Sequence, residues 1–293
     1  MTEADFLKSA HVMVWGLGLM GGSLALALKD KCARVIGVDP DPKVAKMAIE
    51  MEITAEAYLS PTEYAGRADV FVLAAPVRGI LGQLRELSAG RCEAGIVLDL
   101  GSTKRQIVAA MEDLPEGWDP VGGHPMCGSE KSSIAHATAN IYQKAAFALV
   151  ETRQTSSWAK KVCELLVHEV GAEPLWLDAE NHDLWAAATS SLSFLAANAL
   201  AATVPTEARI LVGPGFQSTS RLAVEPIDMV MDILRTNGDN VLSMVKAYRQ
   251  RMLELETALE SHNEIEIRNL LLEGARQRHV LLGDESQGGK RCG

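Results

Sequence analysis

The fold is decided by the stretch His11-Val-Met-Val-Trp-Gly-Leu-Gly-Leu-Met-Gly21. Residues 12–15 form an apolar run that is long enough for a buried strand. Gly16, Gly18 and Gly21 follow with the spacing G-x-G-x-x-G. The first glycine permits a tight turn, the second lets a pyrophosphate approach the backbone, and the third lets the next helix pack closely. The stretch therefore predicts a dinucleotide-binding loop, with the amides of the following helix facing the phosphates.

A carboxylate follows the second apolar run, residues 34–38. Asp39 lies 18 residues after Gly21, near the interval expected for the residue that binds the adenosine ribose. Its charge favours NAD, and NADP less, because a 2′-phosphate would be repelled; the alternative is a turn residue before Pro40. The residues predicted to bind the cofactor are Gly16, Gly18, Leu19, Met20, Gly21, Asp39, Ala75, Pro76 and Ser102.

Strand and helix patterns alternate through the first part of the chain. Buried-strand runs recur at residues 69–74 and 95–100, which predicts an α/β fold with a Rossmann-type, doubly wound parallel sheet. The polar stretch at residues 122–131 is predicted to be a loop. The pattern then becomes all-helical. We therefore expect a dinucleotide-binding domain over residues 1–178, a helical domain over 179–283 and a disordered tail over 284–293.

Composition restricts the partners and the compartment. The chain has 293 residues and a formal net charge of −10, which argues against nucleic acid and anionic membranes as partners. The N-terminus has no signal-peptide pattern, and the five cysteines form no C-x-x-C pair, so we expect free thiols in the cytoplasm. A reactive role for Cys127 stays open. Residues 184–204 are uncharged and long enough to span a bilayer, but their Ser, Thr and Asn content predicts a helix covered by protein.

Five motifs make the sequence resemble the prephenate/arogenate dehydrogenase (TyrA) family from about residue 10 to about residue 282. They are Gly16-Leu-Gly-Leu-Met-Gly-Gly-Ser-Leu-Ala25, Asp99-Leu-Gly-Ser-Thr-Lys104, Gly122-Gly-His-Pro-Met126 with Gly128-Ser-Glu-Lys131, His182-Asp183, and Gly215-Phe216 with Ser220-Arg-Leu-Ala223. The resemblance implies a homodimer formed through the helical domains, with the active site between the two domains. It also implies NAD-dependent oxidative decarboxylation of a small anionic cyclohexadienyl substrate, and no metal site is predicted.

The resemblance assigns roles to residues in these motifs. His124 matches the catalytic base, a task that suits histidine because its pKa lies near neutrality; the alternative is a structural loop histidine. Ser102 matches a catalytic serine near the reacting hydroxyl and the nicotinamide, or else it caps a helix. Arg221 matches the arginine that binds the substrate carboxylate, unless it is a surface arginine. Ser129 and Glu130 match residues that line the substrate pocket, although Glu130 could be a solvated loop acid.

Two substitutions separate this chain from the family pattern. Phe194 replaces a histidine that contacts substrate in many members, and Gln217 replaces a charged residue. We expect both to border the substrate. The sequence therefore does not distinguish between two substrates. Prephenate would give 4-hydroxyphenylpyruvate, and arogenate would give tyrosine. An alternative with the same reaction is 4-amino-4-deoxyprephenate, on a route to metabolites derived from p-aminophenylalanine.

Two other classes of protein share parts of this pattern. β-Hydroxyacid dehydrogenases have a similar glycine loop, but they use a catalytic lysine on the interdomain helix, and residues 182–204 contain none. A non-catalytic NAD-binding regulator is the second alternative. The presence of His124, Ser102 and Arg221 argues against it, because a regulator needs no base.

Overall fold

The computed structural model of the chain describes residues 2–128 and 133–283. Ser129, Glu130 and the predicted tail at 284–293 therefore lie outside the described residues. The strands are β1 (His11–Trp15), β2 (Arg34–Val38), β3 (Glu56–Tyr58), β4 (Val70–Leu73), β5 (Ile96–Asp99), β6 (Asp119–Pro125), β7 (Ala146–Glu151) and β8 (Glu173–Leu177). The helices are α1 (Glu3–Ser9), α2 (Leu19–Leu28), α3 (Pro42–Glu50), α4 (Val77–Ser88), α5 (Arg105–Met111), α6 (Ser157–Glu169), α7 (Ala179–Ala186), α8 (Leu192–Thr203), α9 (Pro214–Ser220), α10 (Ile227–Glu260) and α11 (Glu264–Leu282).

The strands form one sheet with the order β3-β2-β1-β4-β5-β6-β7-β8. Strands β1 to β6 are parallel, and their order is that of dinucleotide-binding sheets, so the Rossmann-type prediction is confirmed. The sheet departs from parallel pairing at one edge, where β7 is antiparallel to β6 and β8 is parallel to β7. An apolar run predicts a strand but not its direction.

The sheet is buried on both faces, as parallel sheets are. Successive residues of β1 contribute to different clusters: Val12 and Val14 belong to one, and Met13 and Trp15 to the other. Helix α2 is buried over most of its length because Gly21 brings it close to the sheet. The carboxyl ends of β1, β2, β4, β5 and β6 consequently meet at one edge of a rigid layer.

The predicted uncharged helix is present but is interrupted in its middle. Helix α7 continues through a π-helical turn, Ala187–Ser191, into α8. By length and composition, Ala179–Thr203 is the one helix of the described residues that could cross a membrane. Only 17% of its apolar window is buried in the single chain, so the expected burial is not provided by this chain alone.

By its contacts, the described chain divides into two compact units between Val241 and Leu242, within α10. In the first unit, α10 has non-helical backbone at Asn237 (φ −138°, ψ 23°), which marks a kink in this helix. In the second unit, Arg251 donates hydrogen bonds to Glu254 (2.9 Å) and Glu273 (2.7 Å) and so links α10 to α11.

Candidate active site

The three glycines of the loop after β1 have different neighbours. A Cβ at Gly16, where φ is +109°, would lie 2.6 Å from the carbonyl oxygen of Ala74. A Cβ at Gly21 would lie 1.8 Å from the carbonyl oxygen of Gly16. Both positions therefore require glycine for packing. Gly18, at the N-cap of α2, has nothing within 4 Å of such a Cβ, which leaves the open space that a pyrophosphate needs.

Asp39 is held beside this loop. Its Oδ2 accepts a hydrogen bond from the Leu17 amide (2.9 Å), and its Oδ1 accepts one from the Asp41 amide (2.9 Å). The second contact is the local turn that the sequence left as the alternative role. A carboxylate has about four acceptor positions, so the half-buried side chain keeps capacity for ribose hydroxyls. The arrangement fits NAD.

The remaining predicted cofactor residues lie at the same edge of the sheet. Leu19 and Met20 form the first turn of α2, and the Met20 carbonyl accepts a hydrogen bond from a tyrosine hydroxyl (2.7 Å). Ala75 and Pro76 join β4 to α4, and the Ala75 amide nitrogen would be 3.1 Å from a Cβ at Gly16. Ser102 lies in the loop between β5 and α5 and is partly buried.

A buried ion pair fixes the loop that carries Ser102. Asp99, the last residue of β5, accepts hydrogen bonds from the amides of Gly101 (2.7 Å) and Gly123 (2.9 Å) and pairs with Lys104. The Lys104 ammonium also donates to the Gly123 carbonyl (2.6 Å). Burial lowers the pKa of Lys104, and the charge of Asp99 opposes that shift. The pair connects the β5 loop to β6, a role that the motif did not reveal.

His124 lies on a strand rather than in a loop. The prediction of a loop over residues 122–131 is wrong for its first part, because β6 continues to Pro125 and His124 pairs with Ala148 of β7. The partly buried ring places Nδ1 2.9 Å from Nε2 of His182. Burial lowers the pKa of His124 well below its ordinary value, and its neighbours His182 and Lys104 add to the shift by disfavouring a second positive charge. The ring is therefore neutral at neutral pH and can accept a proton.

His182 and Asp183 of α7 lie behind this ring, and both are buried. His182 Nδ1 is 2.8 Å from Asp183 Oδ1, and the Asp183 carboxylate also accepts from the amides of Lys104 (2.6 Å) and Arg105 (3.0 Å). Burial raises the pKa of Asp183, but these hydrogen bonds outweigh burial and the pKa is lowered. Asp183 thus binds the amides at the start of α5. The alternative that Ser102 caps this helix is wrong, because its N-cap is Lys104.

The predicted substrate-binding residues of the helical region lie on three helical elements that pack against one another. Arg221 begins a 3-10 turn, Arg221–Val224, that packs against α8, and α9 packs there too. Phe194 of α8 is buried, and Gln217 of α9 is exposed. Among the described residues, Arg221 has an exposed side chain without a hydrogen bond or ion pair, and none of the three is hydrogen-bonded to His124.

One open alternative loses support here. Burial raises the pKa of Cys127 to about 11. The thiol is therefore protonated at neutral pH, and protonated thiols are poor nucleophiles. The sequence motifs contain His182 and Asp183, but they did not predict that His182 contacts His124 and that Asp183 contacts His182. The available signal was an imidazole and an acid side by side, just before the uncharged stretch at residues 184–204.

A dinucleotide loop on this sheet, with a neutral histidine available as a base, defines a nicotinamide-dependent dehydrogenase. The family model for the prephenate dehydrogenase nucleotide-binding domain matches residues 24–174, and that for the prephenate dehydrogenase dimerization domain matches residues 178–273. The chain belongs to the prephenate dehydrogenase family. It is an NAD-dependent oxidoreductase of aromatic biosynthesis, which sets aside the β-hydroxyacid dehydrogenase and the non-catalytic regulator.

Individual relatives agree with this assignment. A prephenate dehydrogenase of Bacillus subtilis is 29% identical over 266 residues, which span 86% of this chain and 71% of the relative. The crystal structure of Aquifex aeolicus prephenate dehydrogenase with hydroxyphenyl propionate and NAD+ is 27% identical, with a TM-score of 0.84 over 94% of this chain and 99% of that chain. Synechocystis arogenate dehydrogenase is 25% identical, with a TM-score of 0.79 over 92% of this chain and 99% of that chain.

Proposed function

We propose that the chain converts prephenate or arogenate by NAD-dependent oxidative decarboxylation, with His124 as the base. The observation that carries the proposal is the position of the His124 ring on β6, at the edge of the sheet where the glycine loop lies. Burial lowers the pKa of this ring, which favours its unprotonated form. Ligands of such sheets bind at the carboxyl ends of the strands. A general base must be unprotonated to act, and it is most efficient when its pKa lies near the working pH.

The proposed reaction moves one hydride and one proton. NAD, held by the glycine loop and Asp39, would supply the acceptor for the hydride of ring C4. His124 removes the proton of the 4-hydroxyl as the hydride leaves, so the oxygen becomes a carbonyl. The ring carboxylate then departs as CO2, its bonding electron pair completes the aromatic ring, and the oxygen regains the proton. Ser102 is proposed to orient the hydroxyl from the loop that the Asp99–Lys104 pair fixes.

Substrate binding is assigned to the helical region. The Arg221 guanidinium has no partner among the described residues, so it is available to bind a substrate carboxylate through two parallel hydrogen bonds. Phe194 and Gln217 are proposed to border the ring, because their elements pack together beside Arg221. Ser129 and Glu130, outside the described residues, are proposed to line the same pocket.

A second copy of the chain is proposed to cover the helical region. Large apolar side chains on this region are exposed in the single chain, among them Ile210, Leu211, Val224, Leu271 and Leu272. Exposed patches of this kind mark interfaces. Residues 179–283 would therefore form the homodimer and residues 1–178 the NAD domain, in a cytoplasmic protein. Asp39 favours NAD over NADP.

A second candidate substrate is 4-amino-4-deoxyprephenate. It is favoured by two neutral side chains, Phe194 and Gln217. Many members of the prephenate/arogenate dehydrogenase family carry a histidine and a charged residue at these positions. A 4-amino group differs from a hydroxyl in its hydrogen bonds and its charge, so a pocket for it would need different polarity.

Steady-state kinetics would test the proposal. The purified protein is given NAD and, in parallel, prephenate, arogenate and 4-amino-4-deoxyprephenate, and NADH formation is followed by absorbance. We expect the highest kcat/KM with prephenate or arogenate, and a lower value with NADP. A higher kcat/KM with the amino compound would replace the substrate assignment. Absence of turnover with all three, with NAD binding intact, would contradict the proposed function.

A further inference from the structure

A continuous line of hydrogen bonds leads from His124 to a buried carboxylate. His124 Nδ1 lies 2.9 Å from His182 Nε2, and His182 Nδ1 lies 2.8 Å from Asp183 Oδ1. His182 is 3% exposed and Asp183 is fully buried. The line joins β6 to α7 across 58 residues of sequence. The line starts at His124, the proposed base. The proposed mechanism gives no role to His182 and Asp183.

The protons along this line follow from donor and acceptor rules. An ionised carboxylate only accepts hydrogen bonds, so His182 must carry its proton on Nδ1. In a neutral ring the other nitrogen is then an acceptor, so His182 Nε2 accepts from His124. His124 must therefore carry its own proton on Nδ1, which leaves Nε2 unprotonated. We propose that His182 and Asp183 are positioning residues that fix this tautomer and make Nε2 of His124 the basic nitrogen; the inference rests on the proposed function.

The surroundings of Asp183 keep it ionised and oriented. From α5, the amides of Lys104 and Arg105 and the Arg105 guanidinium donate to its two carboxylate oxygens. From α10, Asn237 donates to its backbone carbonyl (2.7 Å). The other charged groups nearby are the Asp99–Lys104 pair, and Asp239 and Glu180, which both pair with Arg105. Acceptance of so many hydrogen bonds favours the charged carboxylate.

The line also stabilises the product of proton transfer. When His124 Nε2 takes the substrate proton, the ring becomes a cation with its Nδ1–H still directed at His182. His182 can accept that hydrogen bond more strongly because Asp183 holds its opposite nitrogen. The negative charge of Asp183 thus acts on His124 through one intervening ring, as a carboxylate does on the histidine of a catalytic triad.

The proton positions can be measured directly by 15N NMR of the histidine rings, with His124→Asn used to assign the signal. In the wild-type chain at alkaline pH, we expect His124 protonated on Nδ1 and unprotonated on Nε2. His182→Phe removes the acceptor, so we expect mixed tautomers and a kcat lower by on the order of 100-fold, with KM little changed. His182→Gln offers an amide oxygen to His124 Nδ1 and should restore part of both the tautomer and kcat.

The control variant is Thr236→Val, which breaks the buried Thr103–Thr236 hydrogen bond (2.9 Å) near this line without touching either histidine. We expect it to keep the wild-type tautomer and pH profile. A wild-type His124 that carries its proton on Nε2 would overturn the inference, as would a His182→Gln enzyme with lower kcat than His182→Phe. The NMR measurement needs no substrate, so the tautomer can be confirmed even if none of the three candidate substrates is converted.

Discussion

The sheet region, His11–Leu177, and the helical region, Ala179–Leu282, differ in how they bury apolar side chains. The two hydrophobic clusters are built from the strands of the sheet and the helices packed on it. In the helical region, Ile210 and Leu211 are each 83% exposed, and few large apolar residues are buried. The first region holds a core of its own, whereas the second has apolar surface that the single chain leaves uncovered.

This difference separates two requirements of the proposed enzyme. The glycine loop and His124 need rigid support, and the buried sheet gives it to them. Arg221 and its neighbours lie in a region that we propose is completed by a second copy. The NAD site should therefore survive in a monomer, while substrate binding should depend on protein concentration, because association stabilises only what it covers.

The largest effect is expected in the sheet region, at the base. His124→Asn keeps polarity and approximate size but cannot accept the substrate proton at neutral pH. We expect kcat to fall by about 1,000-fold with KM for substrate little changed, since general bases contribute roughly 10²–10⁴-fold. His168→Asn, at an exposed position of α6, is the matched control. A kcat near the wild-type value in His124→Asn would show that His124 is not the base.

The pH profile of kcat/KM examines the same residue without a substitution. The pKa of His124 lies well below its ordinary value of 6.5, and only the neutral ring can act as a base. Activity should therefore persist at pH 6.5 and fall as the pH is lowered further, through the pKa of the folded protein. An acidic limb centred above pH 6.5 would contradict the assigned environment of His124.

The second effect concerns the uncovered surface. Leu211→Glu places a charge in the proposed interface twice per dimer. We expect this to weaken the free energy of dimer formation by about 3 kcal/mol, which raises the Kd on the order of 100-fold. We expect light scattering to show dissociation at concentrations where the wild type is dimeric, with NAD binding retained. Ile49→Glu, at an exposed apolar position of α3, should leave the oligomeric state unchanged. A dimer of unaltered affinity in Leu211→Glu would mean that the partner binds elsewhere.

The smallest of the three effects should be seen at Arg221. Arg221→Ala removes a charge-assisted partner of the substrate carboxylate, which costs about 2 kcal/mol or roughly 30-fold in KM. The effect on kcat should be smaller, because the guanidinium binds ground state and transition state alike. Arg91→Ala makes the same charge change at an exposed site that precedes β5, at the opposite edge of the sheet. Equal KM values for the two variants would show that Arg221 does not bind the substrate carboxylate.

The parts of the molecule predicted well from the sequence are governed by local rules. Gly16 and Gly21 are required by contacts with nearby backbone, and Asp39 follows the strand β2 beside them, so the spacing alone indicates the loop. Asp41 caps α3 by accepting a hydrogen bond from the Lys43 amide (2.8 Å), and Pro42 stands at the first helical position. Such features depend on a few neighbouring residues, which is why the pattern is informative.

The features that the sequence did not reveal depend on distant partners. Gly122, Gly123 and Pro125 suggest a loop, but β7 pairs with this segment and makes it a strand. His182 contacts His124 across 58 residues, and the Asp183 carboxylate caps a helix that begins 78 residues earlier. No local rule specifies such contacts. The exposure of Ala179–Thr203 also depends on a distant partner, because we propose that a second copy of the chain covers this helix.

The π-helical turn at Ala187–Ser191 can be understood as a one-residue insertion in an α-helix. Each residue of an α-helix turns by about 100°, so this insertion rotates every side chain of α8 relative to the fixed pair His182 and Asp183. Deleting one residue from the turn would therefore redirect Phe194 without altering its chemistry. In the proposed site, where Phe194 borders the substrate, substrate preference would then depend on the length of this helix as well as on the side chains it carries.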